Sequence, residues 1–185
     1  MKIPIKILGS LYELQVWATA KFYSLIIQIG SGTRIKAPFY FMAPGKIQIG
    51  MGCRIYQNAC LNGHGGIVIG NNVVLQNNVS IISNQHEYAV PGKTIAEGKL
   101  LKYSPIIIED GAWISPGVVI LPGSHIRKGC LIGAGAIVTR TLKTEENSIY
   151  VGNPARLLKK RFSNKKIKTY AVMADVLENK NNSKK

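Results

Sequence analysis

The sequence predicts an all-β solenoid of about five stacked triangular coils, and three observations point to this fold class. Large apolar residues recur every six positions through most of the chain. The residue three places after each of them is nearly always one that favours a tight turn. Two extra residues separate the first three groups of three hexads from one another, always at the same place, which indicates that three hexads close one coil; the groups so spaced begin at Ile29, Ile49 and Ile69.

The apolar positions form five groups of three, one group for each predicted coil. They are Ile29, Ile35, Phe41, then Ile49, Ile55, Leu61, then Ile69, Leu75, Ile81, then Ile108, Ile114, Ile120, and finally Ile126, Ile132, Val138. A period of six fits neither an α-helix nor a long alternating strand, but it fits very short strands joined by tight turns. Stacked coils of this kind bury the large residue of each hexad in one continuous interior.

The predicted turns contain mainly Gly and Asn, for example Gly52 and Asn78. These residue types adopt positive φ at low energetic cost, which a sharp corner requires. At one corner the spacing breaks, because 27 residues separate Ile81 from Ile108. We therefore expect a long loop, about residues 84–105, to project from one edge of the prism. Loops of this length in compact domains are usually functional or disordered.

The 185 residues suffice for one domain with a core, which we divide into an N-terminal cap segment (1–28), the β-solenoid (29–154) and a basic, partly helical C-terminal extension with a tail (155–185). Spaced apolar residues in 156–162 and 167–177 are compatible with helices. The formal net charge is +15, and the C-terminal extension has ten basic residues against two acidic ones. This asymmetry favours an anionic ligand or surface near the C-terminus.

Cysteine content and hydropathy argue against two classes of protein. The three cysteines include no CxxC pair, so a disulfide-stapled secreted domain is disfavoured. The apolar stretch 7–27 is interrupted by Glu13 and Lys21 and resembles neither a signal peptide nor a spanning helix. We expect a cytoplasmic protein in which residues 7–28 cap the first coil as a helix or strand, or contact a partner subunit or a membrane surface.

Four segments resemble the hexapeptide-repeat acyltransferases of the left-handed parallel β-helix type. They are IGNNVVLQNNVSI, AWISPGVVILPGSHI, LIGAGAIVT and VGNPARLLKKRF, and the resemblance extends over about residues 29–162. The GNPA motif of the last segment is typical of the acetyltransferase branch. The resemblance implies left-handed coils, which are an exception among parallel crossovers. It also implies acetyl-CoA as co-substrate, no metal, and a homotrimer with active sites between subunits.

His86 is the candidate catalytic base. Acetyl transfer to a hydroxyl needs a group that accepts the hydroxyl proton, and histidine has a suitable pKa. In thiogalactoside- and xenobiotic-type members of the family, the catalytic His follows an IG-N-V-x-x-x-x-N-V pattern at the start of the projecting loop, and counting from Ile69 places His86 there. His64 lies three places after Leu61 and is therefore one of the predicted turn residues. His125 is either a plain exposed histidine or a neighbour of His86 that tunes its pKa.

Three further residues are candidates for contact with the acceptor. Asn58 matches a family position that contacts the acceptor or the oxyanion, although Asn58 and Asn84 also occupy the turn column. Glu87 is adjacent to His86 and could orient its imidazole. Glu109 and a backbone carbonyl are alternative orienting partners.

The resemblance places the acetyl donor along the later coils. Trp113 and Pro116 match positions that line the donor channel, and Trp113 is equally suited to hydrophobic packing. Pro116 replaces a residue that usually has a backbone N–H, so one expected amide contact is in doubt. Ala134 offers exposed backbone to the pantetheine, and Thr139 and Arg140 match positions near the nucleotide. Nearby basic residues either meet the CoA phosphates or form a solvated face.

The favoured function is transfer of acetyl from acetyl-CoA to a saccharide hydroxyl, of the surface-polysaccharide type. Xenobiotic or antibiotic O-acetylation stays open, as does a non-catalytic β-helix that acts as a binding or structural subunit. A γ-type carbonic anhydrase needs three His on one zinc, and the spacing of the three histidines here does not resemble that pattern. Nucleic-acid binding is disfavoured because no basic–aromatic motif occurs. The basic tail is expected to associate with anionic lipid at the inner face of the membrane.

Overall fold

Short strands wound into triangular coils form the body of the protein in the computed structural model, which describes residues 5–94, 97 and 100–162. The helix α1 (Ile5–Tyr23) precedes the first coil, and a 3₁₀ helix (Pro44–Lys46) follows it. The strands are, in chain order, β1 (Gln28–Ile29), β2 (Arg34–Ile35), β3 (Phe39–Met42), β4 (Ile47–Ile49), β5 (Arg54–Ile55), β6 (Ala59–Asn62), β7 (Ile67–Ile69), β8 (Val74–Leu75), β9 (Ser80–Ile82), β10 (Asn84–His86), β11 (Leu100–Tyr103), β12 (Ile106–Ile108), β13 (Trp113–Ile114), β14 (Val119–Ile120), β15 (His125–Ile126), β16 (Leu131–Ile132), β17 (Ile137–Val138), β18 (Ser148–Val151) and β19 (Arg156–Lys160).

The coils stack their strands into three sheets, one on each side of the prism. Sheet A has the order β1-β4-β7-β12-β15, sheet B the order β2-β5-β8-β13-β16-β18-β19, and sheet C the order β3-β6-β9-β14-β17. In-register parallel pairing, such as Ile55 opposite Leu75, keeps equivalent residues of successive coils in one line. Five coils are complete and β18 begins a sixth, so the predicted left-handed parallel β-helix is confirmed with slightly more winding than expected.

The hexad residues form the core. Thirteen of the fifteen are at most 3% exposed, and the other two, Ile29 and Phe41, are partly buried. Both belong to the first coil, where the ring of Tyr23 packs edge-on against Phe39 and Phe41 at centroid separations of 5.3 and 5.4 Å. The end of α1 therefore covers apolar surface that the open end of the prism would otherwise expose to water.

Residues with positive φ close the corner between sheets B and C. Asn58 (φ 61°) and Asn78 (φ 59°) hold this place in the second and third coils, and Gly117 and Gly135 hold it in the fourth and fifth. Each N–H donates to a carbonyl of the preceding coil, as that of Asn78 does to Gln57 at 3.1 Å. The predicted turn residues at this corner thus adopt the left-handed conformation, and their N–H groups hydrogen-bond each coil to the preceding one.

The long loop leaves the prism at the corner between sheets C and A. Its two ends, β10 and β11, pair as an antiparallel ribbon in which Asn84 lies opposite Tyr103 and His86 lies opposite Leu100. The projecting loop predicted at about 84–105 is therefore confirmed, and its base is a regular β-ribbon.

The segment after the last coil is a strand, and the helix predicted for 156–162 is wrong. Arg156–Lys160 forms β19, which pairs antiparallel with β18. Without this partner, the outer edge of β18 would present unpaired N–H and C=O groups. A five-residue segment has too few turns for a stable helix, so the edge pairing prevails. The second predicted helix, 167–177, and the tail lie outside the described residues.

Candidate active site at two corners of the prism

A buried serine fastens the ribbon to the prism. The hydroxyl of Ser83 donates to the carbonyl of Asn62 (2.6 Å) and accepts from the N–H of Gly65 (2.8 Å). Where the chain returns, the N–H of Ser104 donates to the carbonyl of Ser83 (3.0 Å). A Cβ on Gly65 would overlap that carbonyl oxygen, so glycine alone fits there. These contacts fix the start of the ribbon and hence the position of His86.

His86 is the last residue of β10, and its side chain is exposed. The register of the ribbon shifts between Gln85 and His86. Irregularities of this kind re-aim a side chain relative to the regular strand, and they are common beside active sites. An exposed imidazole on a fixed support can accept a proton from a bound hydroxyl and pass it to a leaving group.

Asn84 lies two residues earlier in the same strand. Its place in β10 opposite Tyr103 shows that the turn interpretation of Asn84 is wrong, because the chain leaves the prism as a strand. The Oδ1 atom of Asn84 is buried and has no hydrogen-bond donor among the described residues. A buried amide oxygen without a donor is costly, and a ligand hydroxyl could supply the donor.

His125 does not lie beside His86 in the stack, so of the two alternatives for His125 the one that makes it a neighbour of His86 is wrong. His125 is on the outer side of sheet A opposite Ile107. The ribbon that begins at Asn84 carries His86 away from the stack. The Nε2 atom of His125 lies 2.7 Å from the carboxylate of Glu109, which also accepts from the N–H of Lys128 at 2.9 Å. The carboxylate of Glu109 is therefore hydrogen-bonded to residues in and beside sheet A and is not the orienting partner of His86.

Glu87 stays a candidate for orienting His86. One of its carboxylate oxygens accepts weakly from the N–H of Ala89, at 3.4 Å. The proposed role of Glu87 toward the imidazole remains a prediction.

His64, with Asn62, Lys46 and Tyr103, lines the same corner of the prism. His64 is in the turn as predicted, and its Nδ1 lies 2.7 Å from Oδ1 of Asn62. Because an amide oxygen only accepts, Nδ1 of His64 carries the proton. Lys46 donates to the carbonyl of His64 (3.1 Å), and its Nζ lies 5.7 Å from the centre of the Tyr103 ring. The sequence offers one signal for this cluster: in the repeat, its members fall between the same two sides of the prism as the start of the loop.

Three of the candidate donor residues lie on sheet B or at the edge of sheet C toward it. The side chain of Trp113 points outward from sheet B and is 47% exposed, so it does not pack in the core. Pro116 and Ala134 follow at the corner between sheets B and C in successive coils, where the carbonyl of Pro116 accepts from the N–H of Gly135 at 3.0 Å. The backbone at Ala134 is exposed, as a contact with an extended ligand requires.

Asn58 lies at this same corner, one coil before Asn78. Its positive φ shows that it closes a turn. Its side-chain Nδ2 donates to Oδ1 of Asn78 at 3.1 Å, which forms a short ladder of amides along the corner. The turn role of Asn58 is therefore observed, and a role toward the acceptor remains a prediction.

Thr139 and Arg140 lie at the C-terminal end of the corner that carries the ribbon. A Cβ on Gly123 would lie 3.3 Å from the Cβ of Arg140, which places Arg140 directly beyond that coil. Thr139 lines an open cavity of about 380 Å³ together with Lys143 and Arg156. No acidic side chain is among the residues that line this cavity, so it suits an anionic group.

Sheet C separates the candidate base from some of the candidate donor residues within one chain. His86 and Asn84 lie at its edge toward sheet A, whereas Pro116 and Ala134 lie at its edge toward sheet B. The outward-facing residues along the middle of sheet C are uncharged. They are Tyr40, Cys60, Ser80, Val119 and Ile137. One chain alone thus does not bring His86 to Pro116 and Ala134, whereas Thr139 and Arg140 lie at the corner that carries the ribbon.

Neither buried cysteine is suited to act as a nucleophile. Cys53 and Cys130 are in the core, and burial raises the pKa of both thiols. The reactive form of cysteine is the thiolate, so a raised pKa argues against an acyl-cysteine intermediate. Across the described ranges, no group of three or more His, Cys, Asp and Glu side chains is arranged to hold a metal.

Sequence comparison relates the chain to known transferases. Residues 105–140 match the family model described as bacterial transferase hexapeptide (six repeats), and residues 46–83 match the hexapeptide repeat of succinyl-transferase. A galactoside O-acetyltransferase of Lactococcus lactis is 31% identical over 160 residues, which cover 85% of this chain and 72% of the relative.

Solved structures share the architecture. A maltose O-acetyltransferase from Clostridium difficile superposes with a TM-score of 0.62 at 27% identity, covering 77% of this chain and 74% of that one. A hexapeptide-repeat acetyltransferase from Vibrio cholerae superposes with a TM-score of 0.69 at 23% identity over 82% of both chains, a likeness of fold. The six-residue repeat, the triangular prism and the 31% identity to the Lactococcus lactis relative agree. The chain therefore belongs to the hexapeptide-repeat acetyltransferase family.

Proposed function

We propose that this chain is an acetyl-CoA-dependent O-acetyltransferase that acetylates a saccharide hydroxyl of the surface-polysaccharide type, with His86 as general base. Relatives named galactoside and maltose O-acetyltransferase support the saccharide acceptor. A galactoside acetyltransferase in complex with coenzyme A and a Vibrio cholerae acetyltransferase in complex with acetyl-CoA support the donor. The observation that carries the proposal is the exposed imidazole of His86 on a ribbon fixed to the edge of sheet C.

In the proposed reaction, the imidazole of His86 accepts the proton of the acceptor hydroxyl while the hydroxyl oxygen attacks the thioester carbonyl. A C–O bond forms, and the tetrahedral oxyanion collapses with cleavage of the C–S bond. The imidazolium returns its proton to the departing CoA sulfur, so the products are an acetyl ester and free thiol. Asn84 Oδ1 accepts a hydrogen bond from a second hydroxyl of the acceptor, and Asn58 and Glu87 complete the acceptor contacts.

The donor would lie between the edge of sheet C that carries Ala134 and the edge that carries Thr139. Trp113 and Pro116 line its channel, and the exposed backbone at Ala134 binds the pantetheine amides. Thr139 and Arg140 meet the nucleotide end, where the adjoining cavity has cations and no carboxylate among its lining residues. Phosphates of CoA supply the complementary negative charge.

Two copies of the chain are needed to complete such a site, and a homotrimer provides them. Three copies with sheet C facing a common axis would bring the His86 edge of one against the Ala134 edge of the next. The uncharged middle of sheet C suits this placement, because charges near the axis would lose their hydration. A closed threefold assembly has three such sites.

Thiol release from acetyl-CoA tests the chemistry. The acceptors are free sugars, nucleotide sugars, aminoglycosides and streptogramins, and the proteins are wild type, His86→Ala and His125→Ala. We expect acceptor-dependent release that falls by about two to four orders of magnitude in His86→Ala, with CoA binding retained, and that is unchanged in His125→Ala. Release that survives in His86→Ala would place the base elsewhere, and absence of CoA binding by wild type would favour a non-catalytic β-helix.

Mixing two inactive variants tests the shared site. His86→Ala removes the base, and Ala134→Trp fills the donor channel from an exposed position. Unfolding and refolding them together in equal amounts gives mixed trimers in which about a quarter of the sites are intact, so activity returns to about a quarter of wild type. If base and donor channel came from one chain, mixing would restore nothing.

The chain is proposed to work in the cytoplasm, beside the inner face of the membrane, where it would meet a membrane-bound acceptor. The basic composition of residues 155–185 supports this placement, because cationic segments are attracted to anionic lipid headgroups. Cell fractionation with washes of rising salt concentration tests it, and a protein wholly in the soluble fraction at low salt would contradict it.

A further inference from the structure

The N-terminal end of the prism exposes a set of large apolar side chains. They belong to α1 and the turn after it and form what we call the helix-end surface: Leu14 (60% exposed), Trp17 (60%), Phe22 (64%), Leu25 (77%) and Ile26 (49%). Single exposed apolar residues are ordinary in soluble proteins, but five on one helix and its turn form a patch of the kind that contacts a partner or a membrane.

The exposure follows from how α1 packs. Val16 and Ala20, four residues apart, are buried against the first coil. Residues with this spacing share one side of a helix, so Trp17 and Phe22 are left on other sides. The helix is thus anchored by a narrow apolar stripe and presents further apolar side chains outward.

From Leu14 to His86 the sequence has only positive charges, and Glu13 precedes Leu14 in α1. Between Glu13 and Glu87 the chain has no Asp or Glu, and its charged residues there are Lys21, Arg34, Lys36, Lys46 and Arg54. Arg34 and Arg54 lie opposite each other on neighbouring strands of sheet B. Together with Lys36 they line an open cavity of about 190 Å³ that also touches Val16 of α1. The cations therefore lie beside the helix and at the same end of the prism.

We infer that this end of the prism docks on an anionic lipid surface, with α1 lying in the plane of the interface. Apolar side chains that enter the headgroup region, with cations beside them, are the requirement for an interfacial helix. In the described part of the chain, no helix is long and apolar enough to cross a membrane. The inference concerns a surface remote in sequence from His86, and it stands whether or not the proposed transfer reaction is correct.

Two other occupants fit less well. A nucleic acid would meet the cations but would leave Leu25 and Phe22 against a hydrophilic backbone. A second copy docked through the same end would bring like charges together, because residues 13–86 contain five cations and the single carboxylate of Glu13. An anionic bilayer satisfies both the apolar and the cationic components.

Vesicle flotation tests the inference with the full-length protein. The vesicles are phosphatidylcholine alone, or equimolar phosphatidylcholine and phosphatidylglycerol. We expect binding to the anionic vesicles that weakens with salt, and a drop in partitioning of about tenfold or more in the double variant Trp17→Gln, Phe22→Gln. The matched control is Leu158→Gln, whose side chain is 58% exposed at the opposite end of the prism and whose loss should leave binding unchanged.

A second measurement locates the helix directly. The chain has two tryptophans, so the variant Trp113→Phe leaves Trp17 as the sole indole. We expect brominated phospholipids in anionic vesicles to quench Trp17 fluorescence. Unquenched Trp17 on bound protein, or equal flotation of wild type and the double variant, would overturn the inference, as would failure of wild type to bind anionic vesicles.

Discussion

The Nε2 atom of His125 lies 2.7 Å from Oε1 of Glu109 on the outer side of sheet A. Partial burial opposes ionisation of this carboxyl, but the hydrogen bonds from the Lys128 N–H and from His125, with the charge of Arg127, outweigh it and lower the pKa of Glu109. The pair joins the fourth coil to the fifth. It therefore belongs to the stacking of the prism and not to the chemistry at the ribbon.

The Glu109 cluster predicts a pH-dependent stability. A carboxyl whose pKa is lower in the folded than in the unfolded state stabilises the fold above its unfolded value, and this contribution is lost as pH falls through the folded value. Glu109→Gln should thus destabilise the protein at neutral pH and flatten the loss of stability in acid, below about pH 4. Urea unfolding over a pH series measures this.

The control for Glu109 is Glu146→Gln. Glu146 meets the same Arg127 but only at 3.6 Å, and its side chain is 51% exposed. Exposed ion pairs contribute little to stability. Equal pH profiles of stability for the two variants would show that the contacts of Glu109 contribute no more to stability than an exposed ion pair does.

The buried, donorless Oδ1 of Asn84 predicts a binding role for this residue. Asn84→Ala removes a buried amide oxygen that accepts no hydrogen bond in the free protein, so the melting temperature should stay the same or rise. Loss of one hydrogen bond to the acceptor should raise the KM for the acceptor about tenfold while the KM for acetyl-CoA stays unchanged. A lowered melting temperature with unchanged KM for the acceptor would instead assign Asn84 a structural role.

Gly65 sets the position of the ribbon, and its substitution should be costly. A Cβ there would overlap the carbonyl oxygen of Ser83, so Gly65→Ala must displace the start of β10. We expect a loss of about 2–3 kcal/mol in the free energy of unfolding and a fall in activity through displacement of His86. Chemical denaturation and thiol-release assays measure the two effects.

Gly45 provides the matched control for Gly65. It lies in the 3₁₀ helix at the same corner, and a Cβ there meets no atom within 4 Å. Gly45→Ala should change stability by no more than about 0.5 kcal/mol and leave activity intact. A comparable loss in both variants would mean that the Ser83 contact does not decide the effect.

The repeat made the prism predictable because each hexad has the same physical task. A large residue such as Ile114 fills the interior, and Gly or Asn three places on supplies the positive φ of the corner, so the period alone defines sheets, core and the point where the loop departs. At Arg156–Lys160 the prediction failed, because the free edge of β18 is created by the tertiary structure and is invisible in five local residues.

The candidate site was less predictable, since its geometry depends on contacts between coils. The sequence places His86 at the start of the loop, but it does not show that Glu109 is already occupied by His125. Nor does it show that Asn84 continues as a strand with its amide oxygen buried. Contacts that depend on the exit angle of a loop have no periodic signal in the sequence.

The outer side of sheet C predicts which substitution separates the subunits. Val119 faces outward in the middle of this sheet, opposite Ser80 and Ile137 of the neighbouring coils. In a trimer with sheet C toward the axis, Val119→Glu would place three carboxylates near one another in a poorly hydrated interface, so the trimer should dissociate and activity should be lost.

Ile107→Glu is the matched control for Val119→Glu, since Ile107 faces outward from sheet A and is 38% exposed. It should leave both the oligomeric state and the activity unchanged, because sheet A would face solvent in this arrangement. Light scattering coupled to size-exclusion chromatography reports the state of each variant. If Ile107→Glu were to dissociate the assembly while Val119→Glu did not, sheet A would face the axis, and the pairing of half-sites across sheet C would have to be abandoned.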